Sequence, residues 1–435
     1  MRIVATVVLL LAAGFGQAAP RFSPPNPPGP FAVGLRVVHQ YDYARAYRGE
    51  FDPATGKRNE GEQARPVQTL VWYPATASGK PMVYGDYLRL VGSEDDFSRG
   101  AAQVEAVADS FIRSEYLPEA GMEQGREALQ GAMRARADAA FSEGKFPVVI
   151  YAPSISAPAA ENADLCELLA SHGYIVIASP SMGTRGRQMP NDLEGAETQA
   201  ADIAFLLGYA HSLPQADARK VAVAGYSWGG LANVLAAAKD RRIKALVGLD
   251  GSARYYPDLI AAAKYVTPLT LSVPTLYVAA RPRSLEELTE RPKPASNFLN
   301  DIKYADLYKL TMYPMEHFAF SSTYLRFASD PRFGQYPRAD VNRAHGWVAD
   351  YVRHFLDAYL KDDADARTWL NATPASHGMP AHAVTMEARP AAPPPPSRAA
   401  PGWRRSCRAV ASSMRMPPTR RCERAMRPSR CRSAN

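Results

Sequence analysis

The sequence predicts an α/β fold: a mostly parallel sheet of eight strands, helices on both faces, and a helical insertion after the first strands. Between residues 146 and 360, short apolar runs alternate with longer segments of helical periodicity. Strands that alternate with helices form parallel sheets covered on both sides. One junction between such a strand and its helix has the glycine-rich sequence GYSWG. Because ligands bind such sheets at the carboxyl ends of the strands, this junction is where a site is expected.

Eight apolar runs have the length and composition of strands. They are Phe31–His39, Val67–Tyr73, Phe146–Tyr151, Tyr174–Ala178, Val221–Ala224, Ile243–Leu249, Pro274–Ala279 and Tyr308–Met312. The first two precede any helical pattern and are expected to be antiparallel. Helices are predicted over Ala163–Ser171, Glu194–His211, the residues after Ser227, and Val341–Leu360.

The segment Tyr84–Lys145 separates two of these strands. It is charged and alanine-rich, with apolar residues at helical spacing, so it predicts helices. We expect it to lie outside the sheet. Two interpretations stay open: the insertion covers the site as a cap, or it only packs against the domain and has no role at the site.

Residues 1–19 have the pattern of a secretory signal peptide. An apolar run, Val4–Ala13, follows Arg2 and is short for a bilayer span, and Gly16-Gln17-Ala18 ends in small residues. This predicts a secreted or periplasmic protein with a domain over residues 20–375 and no stable membrane insertion after cleavage. A short membrane anchor is the alternative.

Residues 376–435 differ in composition from the rest. They contain 12 Arg, no Lys and 2 Glu, so this segment carries +10 of a chain net charge of +8 and leaves −2 on residues 1–375. The predicted domain therefore gives no support for nucleic-acid binding. Few large aliphatic residues predict a disordered tail. Arginine without lysine fits a shifted reading frame in GC-rich DNA, and a polyanion-binding tail is the alternative.

Of the four cysteines, Cys166 alone lies in the predicted domain, on an apolar helical stretch. One cysteine provides no internal disulfide framework, and we expect a buried, small apolar side chain. His, Cys and Asp residues show no metal-ligand spacing, so no metal or organic cofactor is predicted.

The sequence Gly225-Tyr226-Ser227-Trp228-Gly229 lies between a predicted strand and a predicted helix. G-x-S-x-G in that context is the nucleophile elbow of α/β-hydrolases. The sharp turn exposes the serine hydroxyl, and the glycines let strand and helix approach closely. The N–H groups at the start of the helix face the place where negative charge develops.

A nucleophilic serine needs a histidine base and a carboxylate that orients it. In this fold they follow the serine in the order acid, then histidine. His317 follows the last predicted strand, whereas the other later histidines lie on the final helix or in the tail. Asp250 directly follows Ile243–Leu249 and is the favoured acid, and Glu286 is the alternative.

Two backbone N–H groups should form the oxyanion hole. One belongs to Trp228, directly after the serine. The other is expected in the loop Ala152-Pro153-Ser154-Ile155-Ser156. Pro153 has no N–H, so the candidates are Ile155 and its neighbour Ser154.

From Gly29 to about Leu370 the chain resembles α/β-hydrolases of the platelet-activating factor acetylhydrolase and dienelactone hydrolase group. The resemblance is carried by Gly29–Gly34, Phe146–Tyr151, Leu169–Val176, Val221–Gly230, Ala245–Asp250 and His317–Phe320. It implies that Ser227, Asp250 and His317 form the triad and that Ile155 and Trp228 supply the oxyanion N–H groups. Pro153-Ser154-Ile155-Ser156 replaces the His-Gly-x-Gly of the acetylhydrolases, and a serine replaces the cysteine of the dienelactone hydrolases.

These observations predict a secreted serine esterase, acetylhydrolase- or lipase-like and acting in lipid degradation, that forms an acyl-enzyme on Ser227. Its expected partner is a small-molecule ester. Two alternatives stay open: an amide or peptide hydrolase with the same triad, and a catalytically silent member that binds ligands.

Overall fold

A single sheet of eleven strands forms the centre of the protein. The computed structural model describes residues 22–48, 56–58, 61–281 and 298–393. The predicted signal peptide and residues 394–435 of the predicted tail lie outside this part. The strands are β1 Ala32–Ala46, β2 Ala64–Ala75, β3 Lys80–Val83, β4 Ala132–Ala137, β5 Phe146–Ala152, β6 Ile175–Ala178, β7 Ala216–Tyr226, β8 Ile243–Leu249, β9 Thr275–Ala280, β10 Leu307–Met312 and β11 Val384–Arg389. Their order is β11-β10-β9-β8-β7-β5-β6-β2-β1-β4-β3.

The six central strands, β6-β5-β7-β8-β9-β10, are all parallel. β1 and β2 are antiparallel neighbours, and β2 is antiparallel to β6. Every residue of β5 and β6 is buried, as expected for a sheet covered on both faces. The predicted mostly parallel sheet is confirmed, and all eight predicted strands are present.

Three strands at the edges of the sheet were not predicted. β4 lies inside the insertion and pairs in parallel with β1, where Val33 faces Ala135. The expectation that Tyr84–Lys145 lies wholly outside the sheet is therefore wrong, because its last part continues the sheet beyond β1. β3 then pairs antiparallel with β4.

The predicted boundary of the domain at residue 375 is also wrong. β11 pairs antiparallel with β10 along its whole length. Met379 and Val384 are 4% and 3% exposed. Residues 376–393 therefore belong to the folded domain, because they cover an edge that β10 would otherwise leave open.

Helices cover both faces of the sheet. They are α1 Tyr84–Arg89, α2 Ala101–Glu115, α3 Leu117–Ala120, α4 Met122–Gln130, α5 Ala163–Ser171, α6 Leu193–Ala210, α7 Trp228–Lys239, α8 Pro257–Ala262, α9 Ser322–Phe327, α10 Arg338–Leu360 and α11 Ala364–Asn371. One hydrophobic core contains residues of α5, α10 and the insertion helices, and the other contains residues of α6 and α7. Cys166, on α5, is buried as predicted. Within the described ranges, no helix combines the length and apolarity that a membrane crossing requires.

Candidate active site

The turn between β7 and α7 has the strained geometry that the sequence predicted. Ser227 has φ 52° and ψ −118°, a backbone conformation that costs free energy in any residue with a side chain. Gly229 packs against the end of β5, and a Cβ built there would lie 2.0 Å from the carbonyl oxygen of Ala152. Gly230 packs similarly closely on Gly251. The small residues thus allow the serine to stand at the carboxyl end of the sheet.

The backbone of Ser227 is bound to the end of the neighbouring strand β8. Its N–H donates to the carbonyl oxygen of Leu249 at 3.1 Å, and its carbonyl oxygen accepts from the N–H of Ser252 at 2.7 Å. Asp250, between these two residues, has φ 42° and donates its N–H to Val278 at 2.7 Å. This turn directs the Asp250 side chain toward the candidate site.

The structure brings Ser227, His317 and Asp250 into one hydrogen-bonded chain. Nε2 of His317 lies 2.9 Å from Oγ of Ser227. Nδ1 of the same ring lies 2.7 Å from Oδ2 of Asp250. This is the arrangement in which an imidazole accepts the serine proton while a carboxylate fixes its tautomer.

Asp250 is completely buried, and its carboxylate has further donors. Oδ1 accepts from the Ala280 N–H at 3.0 Å, and the Tyr255 hydroxyl lies 3.0 Å from Oδ2. Nη1 of Arg254 lies 4.0 Å from Oδ1. A buried carboxylate needs such partners to remain charged. The alternative acid, Glu286, lies outside the described residues.

His317 begins a short 3-10 turn, His317–Phe320, in the loop after β10. Its carbonyl oxygen accepts from the hydroxyl of Tyr226, the residue before Ser227, at 3.0 Å. Its side chain is 23% exposed. One edge of the imidazole is thus held inside the protein, while the ring remains accessible from the cavity.

The hydrogen bonds of the loop after β5 distinguish between Ser154 and Ile155, the two candidates for the second oxyanion donor. The N–H of Ser154 donates to Oε2 of Glu161 at 2.8 Å, and its hydroxyl donates to Oε1 at 2.5 Å. The Ser154 N–H is therefore already used, which leaves Ile155, a residue that lines the cavity. Trp228 is the first residue of α7, so its N–H has no partner within the helix.

A cavity of about 210 Å³ opens in front of the serine. It is lined by Ile155, Asn191, Ser227, Trp228, Ser252, Tyr255, Tyr256 and His317. Asn191, Ser252, Tyr255 and Tyr256 were not singled out in the sequence, although the Tyr-Tyr pair shortly after Asp250 was a usable signal. The amide of Asn191 donates to the Tyr256 hydroxyl at 3.1 Å. Across the ranges with described side chains, no group of three or more His, Cys, Asp or Glu residues could hold a metal ion.

The insertion does not contribute to the residues that line this cavity. Instead it contacts the loops that carry the site. Glu94 pairs with Arg187, whose guanidinium also lies 4.7 Å from the ring centre of Phe111. The loop that contains Arg187 donates to Ser156 through the Met189 N–H, which is 2.8 Å from the serine Oγ. The insertion therefore contacts a loop that is bound to Ser156 and does not line the cavity itself.

Comparisons with known proteins agree with this architecture. The family model described as chlorophyllase matches residues 137–271. The chain is also similar to a solved structure, a ferulic acid esterase from Streptomyces cinnamoneus, at 21% identity and a TM-score of 0.58, over 83% of this chain and 98% of that one. Among curated proteins, none matches. Together with the mostly parallel sheet, these similarities show that the chain has an α/β-hydrolase fold.

Proposed function

We propose that this protein is a serine hydrolase of carboxylic esters that works through an acyl-enzyme on Ser227. The observation that carries the proposal is the hydrogen-bonded chain from Ser227 Oγ through His317 to Asp250, with contacts of 2.9 and 2.7 Å. The family model and the solved esterase support the same class of reaction.

In the proposed reaction, Ser227 Oγ attacks the carbonyl carbon while Nε2 of His317 takes the hydroxyl proton. The N–H groups of Ile155 and Trp228 bind the oxyanion. The tetrahedral intermediate then collapses, and His317 returns the proton to the leaving alcohol. Water, deprotonated by His317, attacks the acyl-enzyme and releases the acid. Asp250 holds the tautomer and stabilises the imidazolium throughout.

The cavity supports a compact acyl or aryl group. Trp228, Tyr255 and Tyr256 supply aromatic walls, and its volume is about 210 Å³. The resemblance of the elbow and histidine sequences to the acetylhydrolases makes short acyl esters the first class to test. The name of the similar solved structure makes esters of ferulic acid the second class to test.

Active-site labelling with a fluorophosphonate, mapped by peptide mass spectrometry, tests the proposal. The probe should form one adduct, on Ser227, and the adduct should disappear in His317→Ala. Ser252→Ala is the matched control, because its Oγ lies 3.5 Å from that of Ser227 and yet is not paired with the imidazole. Labelling of that variant should persist on Ser227. Folded wild-type protein without an adduct would contradict the mechanism and favour a ligand-binding role.

Hydrolysis of an ester and of the amide with the same acyl group then separates the two hydrolase classes. We expect the ester to be cleaved and the amide to be cleaved far more slowly.

We also propose that the mature protein is secreted or periplasmic. Mass spectrometry of the N-terminal peptide, on protein isolated from the cells that produce it, tests this proposal. The mature chain should begin after residue 19.

A further inference from the structure

A buried glutamate occupies the end of the loop that carries the candidate oxyanion donor Ile155. Glu161 is 9% exposed and has no role in the proposed reaction so far. Both of its carboxylate oxygens accept from Ser154: Oε2 from the N–H at 2.8 Å and Oε1 from the hydroxyl at 2.5 Å. Because Ser154 directly precedes Ile155, these two bonds fix the peptide that presents the Ile155 N–H.

The backbone of the same residue is bound to the segment that follows His317. The carbonyl oxygen of Glu161 accepts from the N–H and the hydroxyl of Thr323, at 3.2 and 2.9 Å. Oδ1 of the adjacent Asn162 accepts from the N–H of Ser322 at 2.7 Å. Glu161 therefore lies where the loop after β5, which contains Ile155, meets the segment that follows His317.

The electrostatic surroundings connect this carboxyl group to the reacting imidazole. Within the described part of the chain, the titratable groups that interact electrostatically with it are His317 and the hydroxyls of Tyr84, Tyr116, Tyr151 and Tyr226. Burial raises the pKa of each tyrosine, so all four are neutral at ordinary pH.

Burial raises the pKa of Glu161 to about 7, and the bonds from Ser154 and the charge of His317 oppose that rise. When the reaction protonates the imidazole of His317, this carboxylate therefore interacts with its positive charge.

We propose that Glu161 is a positioning residue for ester hydrolysis: its carboxylate holds Ser154, and through it the Ile155 N–H, in place for the oxyanion, and it stabilises the imidazolium of His317 electrostatically. The inference rests on the proposed function. Hydrogen bonds to a charged acceptor are about twice as strong as neutral ones, so the ionised form holds the loop most firmly. Both effects act on the transition state, so their loss should lower kcat and leave KM nearly unchanged.

Glu161→Gln tests the positioning role. Glutamine keeps the shape of the neutral acid and removes the charge at every pH. We expect kcat near pH 8 to fall by roughly 10- to 100-fold, the effect of a slightly misplaced group, with KM within about twofold. The acidic limb of the kcat–pH profile of the variant should no longer show the ionisation of Glu161, whose pKa is about 7 in the wild type.

Glu167→Gln is the matched control. Glu167 is also buried, lies on the adjoining helix α5 and has its pKa raised to about 7 by burial, but it accepts from Tyr87 and the Arg134 N–H in the insertion. Its kcat and pH profile should equal those of the wild type.

Ser154→Ala should shift the acidic limb of the pH profile, whereas Glu161→Gln should remove its ionisation. If Glu161→Gln does not fold, Ser154→Ala is sufficient to test the proposal. It removes a donor that lowers the pKa of Glu161, so the acidic limb should move to higher pH. A purely structural role would produce neither shift.

The proposal is overturned if Glu161→Gln keeps the wild-type kcat and acidic limb, if KM rises while kcat is unchanged, or if the limb of Ser154→Ala does not move. Fluorophosphonate labelling of the wild type separates these outcomes from failure of the proposed function, because that failure would show as wild-type protein without an adduct.

Discussion

Oδ2 of Asp250 lies 2.7 Å from Nδ1 of His317, and Asp250 directly follows β8, the strand that pairs with β7 just before Ser227. Asp250→Asn should lower kcat by about 10⁴-fold, because an amide in this position favours the wrong imidazole tautomer. The measurement is kcat on a soluble aryl ester near pH 8. Asp240→Asn, which changes an aspartate paired with Arg242 after α7, should retain full activity. A loss below tenfold in Asp250→Asn would exclude the orienting role.

Gly229→Ala should disrupt both stability and activity. The new Cβ would lie 2.0 Å from the Ala152 carbonyl oxygen and 2.6 Å from that of Pro153. The loop after β5, which contains Ile155, must therefore move. We expect a loss of about 1–3 kcal/mol in the free energy of unfolding, typical of overpacking, and at least a 100-fold fall in kcat.

Gly208→Ala is the control for that substitution. Gly208 lies in α6 with nothing within 4 Å of an added Cβ. It should stabilise the protein by up to about 1 kcal/mol, since alanine favours a helix over glycine. Equal melting temperatures for the two variants would contradict the steric explanation.

The buried ion pair between Arg65 and Asp202 holds the loop that leads to the cavity. Nε and Nη2 of Arg65 each donate to Asp202 at 2.7 Å, while Nη1 and Nη2 donate to the carbonyl oxygens of Gly183 and Met182. Asp202→Ala leaves a buried charge without this partner and should cost about 3–5 kcal/mol in urea unfolding.

Asp109→Ala is the exposed counterpart. Arg113 and Asp109 lie 3.7 Å apart on α2 and are 74% and 50% exposed. Removal of such a surface pair should change the free energy of unfolding by less than about 1 kcal/mol. Similar losses in the two alanine variants would show that burial does not determine the cost.

Glu167→Gln should change how stability depends on pH. Burial raises the pKa of Glu167 above the ordinary value of 4.5, to about 7. The folded state therefore binds this proton more tightly than the unfolded state, so its contribution to stability is complete below 4.5 and is lost as pH rises to about 7. The variant, permanently neutral, should gain in melting temperature over the wild type more at pH 8 than at pH 5. A difference that is independent of pH would contradict this.

The central strands were predictable because a strand buried on both faces is a continuous apolar run, as in Phe146–Ala152. The edge strands carry no such signal. β4 is Ala-Met-Arg-Ala-Arg-Ala and β11 is Val-Thr-Met-Glu-Ala-Arg, sequences that become strands because a neighbouring edge offers hydrogen bonds. Propensity alone could not show which edge that would be.

The hydrogen-bonded chain of Ser227, His317 and Asp250 was predictable because the elbow is a local motif and the order of residues along the chain restricts its partners. The rest of the cavity wall was not, because Asn191 and Tyr256 come from separate loops that meet only in the folded protein. Glu161 was missed for a related reason: a glutamate at the start of a helix has the sequence of an ordinary solvated residue, and only its bonds to Ser154 set it apart.

The pairing of β11 with β10 has a consequence for shortened forms of the protein. A chain that stopped at residue 375, where the change in composition suggests a boundary, would expose the backbone N–H and carbonyl groups of Leu307–Met312 beside the loop that carries His317. An open, largely apolar strand of this kind is a template for pairing with other molecules. Such a form would be expected to self-associate, whereas a chain that ends at residue 393 keeps β10 paired with β11.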